Sequence, residues 1–208
     1  MINNITVNFH ASIKIKYNDK NIYFDPYKIK EKINDADYIF ITHSHYDHYS
    51  KEDILKIINS NTKIIVTNDL KEEILNLDIN DNNILIVEPN NEYKIDDIYF
   101  KTIPSYNIGK DFHKKTYNWV GYLVYLEDVS YYIPGDTDVT DEFKDVICDV
   151  LFVPVGGTYT MDYKEAISAV NNMNVKYAIP IHYGLVGSKD DAINFVNGLK
   201  DDIKGVIL

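Results

Sequence analysis

Three of the chain's six histidines fall within one six-residue stretch, His43-Ser44-His45-Tyr46-Asp47-His48. Neutral imidazole and carboxylate are the donor types that suit zinc and its neighbours. His43 and His45, two positions apart, can project to the same side, and Asp47 and His48 follow where the chain must turn. The stretch lies directly behind the apolar run Tyr38-Ile39-Phe40-Ile41 and Thr42, so it reads as a loop leaving the end of a buried strand. A solvated loop with incidental histidines is the plain alternative, and the concentration of half the histidines in six positions argues against it. A metal site is expected here.

Metal ligands are commonly gathered from several strand ends, and two further segments repeat the design. Tyr131-Tyr132-Ile133-Pro134-Gly135-Asp136 runs an apolar strand into Gly-Asp, where glycine permits close backbone approach and leaves Asp136 at the strand end. Ala178-Ile179-Pro180-Ile181-His182 does the same with His182. Each alone has a structural reading, a turn residue for Asp136 and a capping residue for His182. Together with the first cluster they read as ligands.

The elements that must position these residues are mostly short strands. Apolar runs recur at Ile5–Phe9, Ser12–Tyr17, Asn21–Phe24, Tyr38–Ile41, Lys63–Val66, Ile84–Val87, Ile98–Ile103, Trp119–Leu126, Tyr131–Ile133, Val150–Val153, Tyr177–Ile181 and Gly205–Leu208. Asn18-Asp19-Lys20-Asn21 and Glu127-Asp128-Val129-Ser130 read as hairpin turns. Helix starts are expected at Ser50, Asp69 and Asp162, with a fourth helix over Lys189–Leu199. Antiparallel-type strands open each half and strands alternating with helices follow, which suggests packed sheets covered by helices in a single domain over residues 1–208. The least regular segment, Ser105–Asn118, is read as a long functional loop.

Composition bounds the chemistry further. The net charge is −11, and all 21 basic residues are lysine, with no arginine. The charge argues against non-specific binding to nucleic acid or an anionic membrane. A phosphorylated substrate would have to be held without a guanidinium clamp. Cys148 is the single cysteine, so an internal disulfide and a multi-thiolate site are excluded, and a packed, inert thiol is expected. No apolar run is long enough to span a bilayer. The alternating opening, Met1 to Tyr17, is unlike a signal peptide, so residence in the cytoplasm is expected.

The string His43-x-His45-x-Asp47-His48, the later Gly135-Asp136 and the late His182 resemble the metallo-β-lactamase superfamily over nearly the whole chain. His10-Ala11-Ser12, Phe24-Asp25-Pro26, Pro134-Gly135-Asp136-Thr137, Pro154-Val155-Gly156-Gly157 and Pro180-Ile181-His182-Tyr183-Gly184 are similar to its bacterial ascorbate-6-phosphate-lactonase-like branch. The resemblance implies an α/β (α+β) fold, a four-layer αββα sandwich, with the metal site at the sheet edges. It implies His43 and His45 as ligands of a first metal and Asp47, His48 and His182 as ligands of a second, with Asp136 bridging. Asp25 is implied as the buried acid that orients the histidine loop. The chain departs from the pattern where a third histidine for the first metal is usual, because that stretch reads Pro104-Ser105-Tyr106-Asn107. His113 or His10 is left to replace it, or His113 lines the pocket as a proton donor.

The expected chemistry is metal-assisted hydrolysis with one or two ions, zinc first, and manganese, nickel or iron as other candidates. Two divalent ions roughly 3.5–4 Å apart would activate a water for attack on a carbonyl or phosphoryl centre. Asp47 or Asp136 would orient that water or take its proton, and His113 or Tyr106 would stabilise the leaving group. Lys110, Lys114 and Lys115 in the long loop suit a small anionic ester, lactone or phosphorylated substrate. The alternatives are a nuclease of the same superfamily, disfavoured by net charge, and a metal-dependent redox protein, which would normally carry glutamate at the His45 position. A non-catalytic ligand sensor is a further alternative, against which the intact Asp47, Asp136 and His182 set weighs.

Overall fold

Ile5, Ile13, Ile15 and Ile22, the inward members of the first alternating runs, are buried in the computed structural model, which describes residues 2–77 and 79–208. Met1, the first residue of the alternating opening, lies outside the described residues. The chain divides into two compact units, Met1–Glu88 and Pro89–Leu208.

The first unit is a six-stranded sheet in sequence order, β1 (Ile5–Phe9), β2 (Ser12–Tyr17), β3 (Lys20–Phe24), β4 (Tyr38–Phe40), β5 (Lys63–Thr67) and β6 (Ile84–Val87). β1 to β3 pair antiparallel through tight turns, and β3 to β6 pair parallel. Two helices cross between the parallel strands, α1 (Lys51–Ile57) and the short α2 (Lys71–Leu75). Ser50 caps α1, its hydroxyl accepting from the Asp53 amide and donating to the Asp53 carboxylate. The expected cap at Asp69 does not form: Asp69 lies inside a one-turn 3₁₀ segment and accepts from the Thr67 hydroxyl at 2.6 Å. Ile39, Ile41, Ile54, Ile57, Ile64 and Ile74 make the centre of this unit's core. β4 and β5 are buried on both faces, which is why they read as continuous apolar runs.

The second unit is a seven-stranded sheet: β7 (Glu92–Ile95), β8 (Ile98–Pro104), β9 (Val120–Leu126), β10 (Val129–Ile133), β11 (Cys148–Pro154), β12 (Val175–Ile181) and β13 (Lys204–Gly205), again in sequence order. The antiparallel meander β7 to β10 gives way to parallel pairing from β10 to β13. Helices α3 (Asp141–Lys144), α4 (Tyr163–Val170) and α5 (Asp190–Asn197) connect the parallel strands. Asp162 and Glu165 close a reciprocal capping box at the start of α4. Each unit therefore opens with a meander and ends in crossovers, the order expected from the sequence. The strand expected over Gly205–Leu208 is only the two-residue β13, held further by the Val206 amide on the Ala178 carbonyl at 3.0 Å.

Candidate metal centre

In the first unit, the histidine loop leaves β4 and is held by one carboxylate. Asp25, the first residue past β3, is fully buried and sits in the left-handed region at φ +45°. Its amide donates to the Phe40 carbonyl at 3.0 Å, locking it to the end of β4. Its Oδ1 accepts from the Thr42 amide at 2.8 Å, and its Oδ2 accepts from the Thr42 hydroxyl at 2.7 Å and lies 2.7 Å from His48 Nδ1. A carboxylate only accepts, so His48 carries its proton on Nδ1 and presents Nε2 as the ligating nitrogen.

The same logic fixes His43. The single hydroxyl proton of Thr42 goes to Asp25, so Thr42 Oγ1 can only accept from His43 Nδ1, 2.9 Å away. His43 therefore also presents Nε2. The ligand atoms of His43 and His45 lie within 4.8 Å of one another, with the rings edge to face at 4.9 Å. The His45 carbonyl accepts from the amides of His48 at 3.0 Å and Tyr49 at 2.7 Å, so the loop curls back on itself. Asp47 is buried at the turn, with Oδ2 3.9 Å from His48 Nε2 and 3.4 Å from His10 Nε2. His10 occupies the two-residue turn between β1 and β2 at φ +57°, so in this unit it joins Asp47, a ligand expected for the second metal.

The second unit carries a set of its own, Asp136, His113 and His182. Asp136 follows β10 through Pro134 and Gly135, the glycine at φ +67°. A Cβ at Gly121 of the neighbouring β9 would lie 2.6 Å from the Pro134 Cα, so only glycine lets this turn approach. Asp136 is 3% exposed, and its Oδ2 lies 3.3 Å from His113 Nε2 and 3.0 Å from His182 Nε2. His113 is oriented by Asn107, whose Oδ1 is 3.0 Å from His113 Nδ1 while its Nδ2 donates to the Tyr159 carbonyl at 2.8 Å. The amide oxygen accepts, so His113 also holds its proton on Nδ1 and directs Nε2 at Asp136. Lone-pair atoms at this separation repel unless a cation or proton is shared between them. The donor set of imidazole Nε2 atoms and carboxylate oxygens fits a divalent cation of the zinc class.

His182 is the first residue past β12 and stands at φ +55°. A Cβ at Gly156 would come within 2.2 Å of the His182 carbonyl oxygen, so Pro154-Val155-Gly156-Gly157 packs directly beneath this ligand. The loop carrying His113 is anchored by Asp138, which accepts from the Ile108 amide at 2.8 Å and the Lys110 ammonium at 2.7 Å. Lys115 pairs with Glu142 at 2.7 Å and Lys114 with Asp111 at 3.2 Å, so all three loop lysines have carboxylate partners. The Tyr106 hydroxyl donates to Glu142 at 2.8 Å, and burial followed by that hydrogen bond holds its pKa above the ordinary phenol value. A weaker acid with a committed proton is a poor proton donor, whereas its backbone carbonyl holds the Asp138 amide and Thr137 hydroxyl beside Asp136.

Thr42 and Asn107 carry orienting roles that the residue spacing did not single out. Thr42 was legible only as part of the histidine string, and Asn107 only as the residue occupying the stretch where a histidine is absent. Cys148 is buried, and burial foremost pushes its thiol up to about 12, in keeping with an inert packed residue. Among the described residues no helix is long and apolar enough to cross a membrane.

The fold and the ligand sets define a class. The model of the beta-lactamase superfamily domain matches residues 4–182, and the chain belongs to that superfamily. The chain also matches the UPF0173 metal-dependent hydrolase of Pyrococcus horikoshii at 30% identity, covering 84% of this chain and 81% of that protein, which places it in the UPF0173 group. A solved structure from Parabacteroides distasonis superposes with TM-score 0.83 at 26% identity, over 98% of this chain and 91% of that one. A Thermotoga maritima structure of the metallo-β-lactamase superfamily shares the fold at TM-score 0.65 and 20% identity, over 98% of this chain and 97% of that one.

Proposed function

We propose that this UPF0173 protein is a metal-dependent hydrolase of a small ester or lactone and that residues 1–208 act as a single functional domain. The ligands are His43, His45, Asp47, His48, Asp136 and His182, with His113 supplying the nitrogen that the Pro104–Asn107 stretch lacks. The observation that carries this reading is the proton placement: Thr42, Asp25 and Asn107 fix Nδ1–H on His43, His48 and His113 and direct each Nε2 outward. Zinc is the cation best matched to these donors.

When bound, a divalent cation supplies Lewis-acid polarisation and lowers the pKa of a coordinated water toward roughly 7. The chain's own groups do the rest. Asp47, held in the turn beside His10, orients the attacking water and receives its proton. Asp136, with its Oδ2 3.3 Å from His113 Nε2 and 3.0 Å from His182 Nε2, would share a cation with them and offset their mutual repulsion. The water oxygen bonds to the carbonyl carbon, the carbon–oxygen bond to the leaving group breaks, and the proton taken from water passes to the departing alkoxide. The products are an acid and an alcohol, or a hydroxy acid from a lactone.

The test pairs elemental analysis of protein purified without chelator with hydrolysis of an ester, lactone and phosphodiester panel, in the parent, Asp136→Ala and His113→Ala. The expected result is two metal equivalents in the parent, one in His113→Ala, and joint loss of metal and ester or lactone hydrolysis in Asp136→Ala. Full metal and full activity in Asp136→Ala would sink the assignment. Cleavage of phosphodiesters alone would move the protein to the nuclease reading, and specific ligand binding without turnover to the sensor reading.

A further inference from the structure

Five of the six histidines have an aromatic neighbour in sequence: Phe9 before His10, Tyr46 after His45, Tyr49 after His48, Phe112 before His113 and Tyr183 after His182. Two of these rings, in the first unit, belong to a continuous cluster. Phe9 packs on Tyr27 at 5.9 Å, and Tyr27 meets Tyr46 edge to face at 6.1 Å. Phe9 also lies 6.2 Å from the His10 ring. Tyr46 is 69% exposed and Phe9 40%, although the ligand candidates around them, His10, His43, Asp47 and His48, are all buried. An exposed aromatic pair beside buried polar ligands is the arrangement of a binding surface, because water contact with these rings is unfavourable until something covers them.

We propose, resting on the hydrolase reading above, that Phe9, Tyr27 and Tyr46 form a subsite for an aromatic ring attached close to the scissile ester or lactone bond. Tyr27 touches both Phe9 and Tyr46 and so links the two exposed rings, with the Lys28 ammonium 5.2 Å from its own ring. Phe9 and Tyr46 then offer ring edges and faces to a planar guest, the geometry in which aromatic pairs gain beyond simple burial. Tyrosine suits such a rim, since its body is apolar and its hydroxyl stays wet. In the second unit Phe112 and Tyr159, 44% and 39% exposed, stand edge to face at 4.7 Å beside His113, repeating the pairing of an exposed ring with a ligand. The loop lysines are tied to Asp138, Asp111 and Glu142, which disfavours a phosphorylated substrate and leaves ring recognition as the source of selectivity.

The test uses zinc-loaded protein and two lactones that share a six-membered lactone ring and an alkoxide leaving group, 3-isochromanone with a fused benzene ring and δ-valerolactone without one. A separate readout is saturation-transfer NMR of acetophenone against 2-butanone, which requires no turnover. The expected results are a preference for 3-isochromanone of about tenfold or more in kcat/KM, and saturation of the acetophenone ring protons only. Tyr46→Ala should collapse that ratio by about tenfold, mostly through KM, and weaken acetophenone binding equally, while Tyr46→Phe keeps both. Equal hydrolysis of the two lactones with acetophenone indifferent to Tyr46→Ala overturns the subsite and leaves the hydrolase reading standing. Tyr46-dependent acetophenone binding with no hydrolysis of either lactone upholds the subsite and counts against the hydrolase reading.

Discussion

Replacing Asp25 by asparagine tests the proton placement on which the metal centre depends. Asparagine has nearly the same size and tolerates the left-handed backbone that Asp25 adopts at φ +45°, so the backbone itself is not perturbed. What changes is the acceptor count. Two oxygens now accept from the Thr42 amide, the Thr42 hydroxyl and His48 Nδ1 at 2.8, 2.7 and 2.7 Å. Asparagine keeps one oxygen, and its NH2 group must face donors. The cheapest relief is for His48 to accept at Nδ1 and move its proton to Nε2, which removes the ligating lone pair. Losing charge-assisted bonds in a fully buried position should lower metal-free stability by about 2–4 kcal/mol. The lost orientation should weaken zinc affinity by about 10–100-fold. Urea unfolding in chelator reads the first quantity, and competition with a chromophoric chelator reads the second. Nitrogen-15 spectra of the imidazoles report the His48 tautomer directly. A variant that loses stability yet binds zinc within about twofold of the parent, with His48 unchanged, would refute the argument that Asp25 acts through the histidine.

Other consequences follow from equally specific contacts. Gly156→Ala would place a Cβ 2.2 Å from the His182 carbonyl and 2.9 Å from that of Val186, both backbone atoms. Its unfolding free energy should fall by about 1–3 kcal/mol, with zinc stoichiometry measured alongside to show that His182 has moved. Asp53 is buried and its desolvation is outweighed by hydrogen bonds from Ser50, Lys56 and the Lys28 amide, so its pKa is lowered from 3.8. A carboxyl depressed on folding contributes stability above its unfolded pKa and loses it as pH falls through the folded value. Urea midpoints of Asp53→Asn should accordingly fall less steeply than those of the parent below pH ~4. Cys148, with its thiol pushed up to about 12 by burial and then by Asp149, should resist Ellman's reagent at pH ~8 until urea unfolds the chain. Rapid labelling of native protein would show that β11 opens where the core is closed.

The parts of this molecule that were legible in the sequence are those where one residue carries its own physics. Ile39 and Phe40, buried on both faces of β4, announce a central strand and therefore the loop that leaves it. Ser50 and Asp162 announce helices because a hydroxyl or carboxylate at that position satisfies amides nothing else can reach. β7 was missed because Glu92-Tyr93-Lys94-Ile95 is only four residues on a sheet edge, where the alternation is short and its inward residues Tyr93 and Ile95 are only partly buried. α3 was missed because four residues cannot display a helical period. Asp69 misled for a related reason: a side chain that satisfies Thr67 is no longer available to cap. Within the site, ligand types were visible, but their orientation was not. Asn107 reaches His113 by the path of an irregular loop, and no spacing rule encodes that.

His10, Asp25 and His182 share a further feature that ties the two sheets to the chemistry. Each is the first residue beyond a strand, after β1, β3 and β12, and each has positive φ, at +57°, +45° and +55°. An ordinary L-residue costs on the order of 1–2 kcal/mol there, and glycine would be the default choice if only the turn mattered. Glycine takes this conformation at Gly135 with φ +67°, and the hairpin turns use Asn18, Asp96 and Glu127 at φ +52°, +50° and +54°. At His10, Asp25 and His182 the side chain has partners that glycine could not serve: Asp47 for His10, Thr42 and His48 for Asp25, and Asp136 for His182. The left-handed step swings the chain off the strand direction while the strand itself fixes the step's origin. A side chain placed this way has its root held by the sheet ladder, which allows Asp25 to serve three donors at once. The strain at these three strand ends coincides with the ligand chemistry without being confined to it, and what distinguishes them from the other positive-φ residues is the partners their side chains hold.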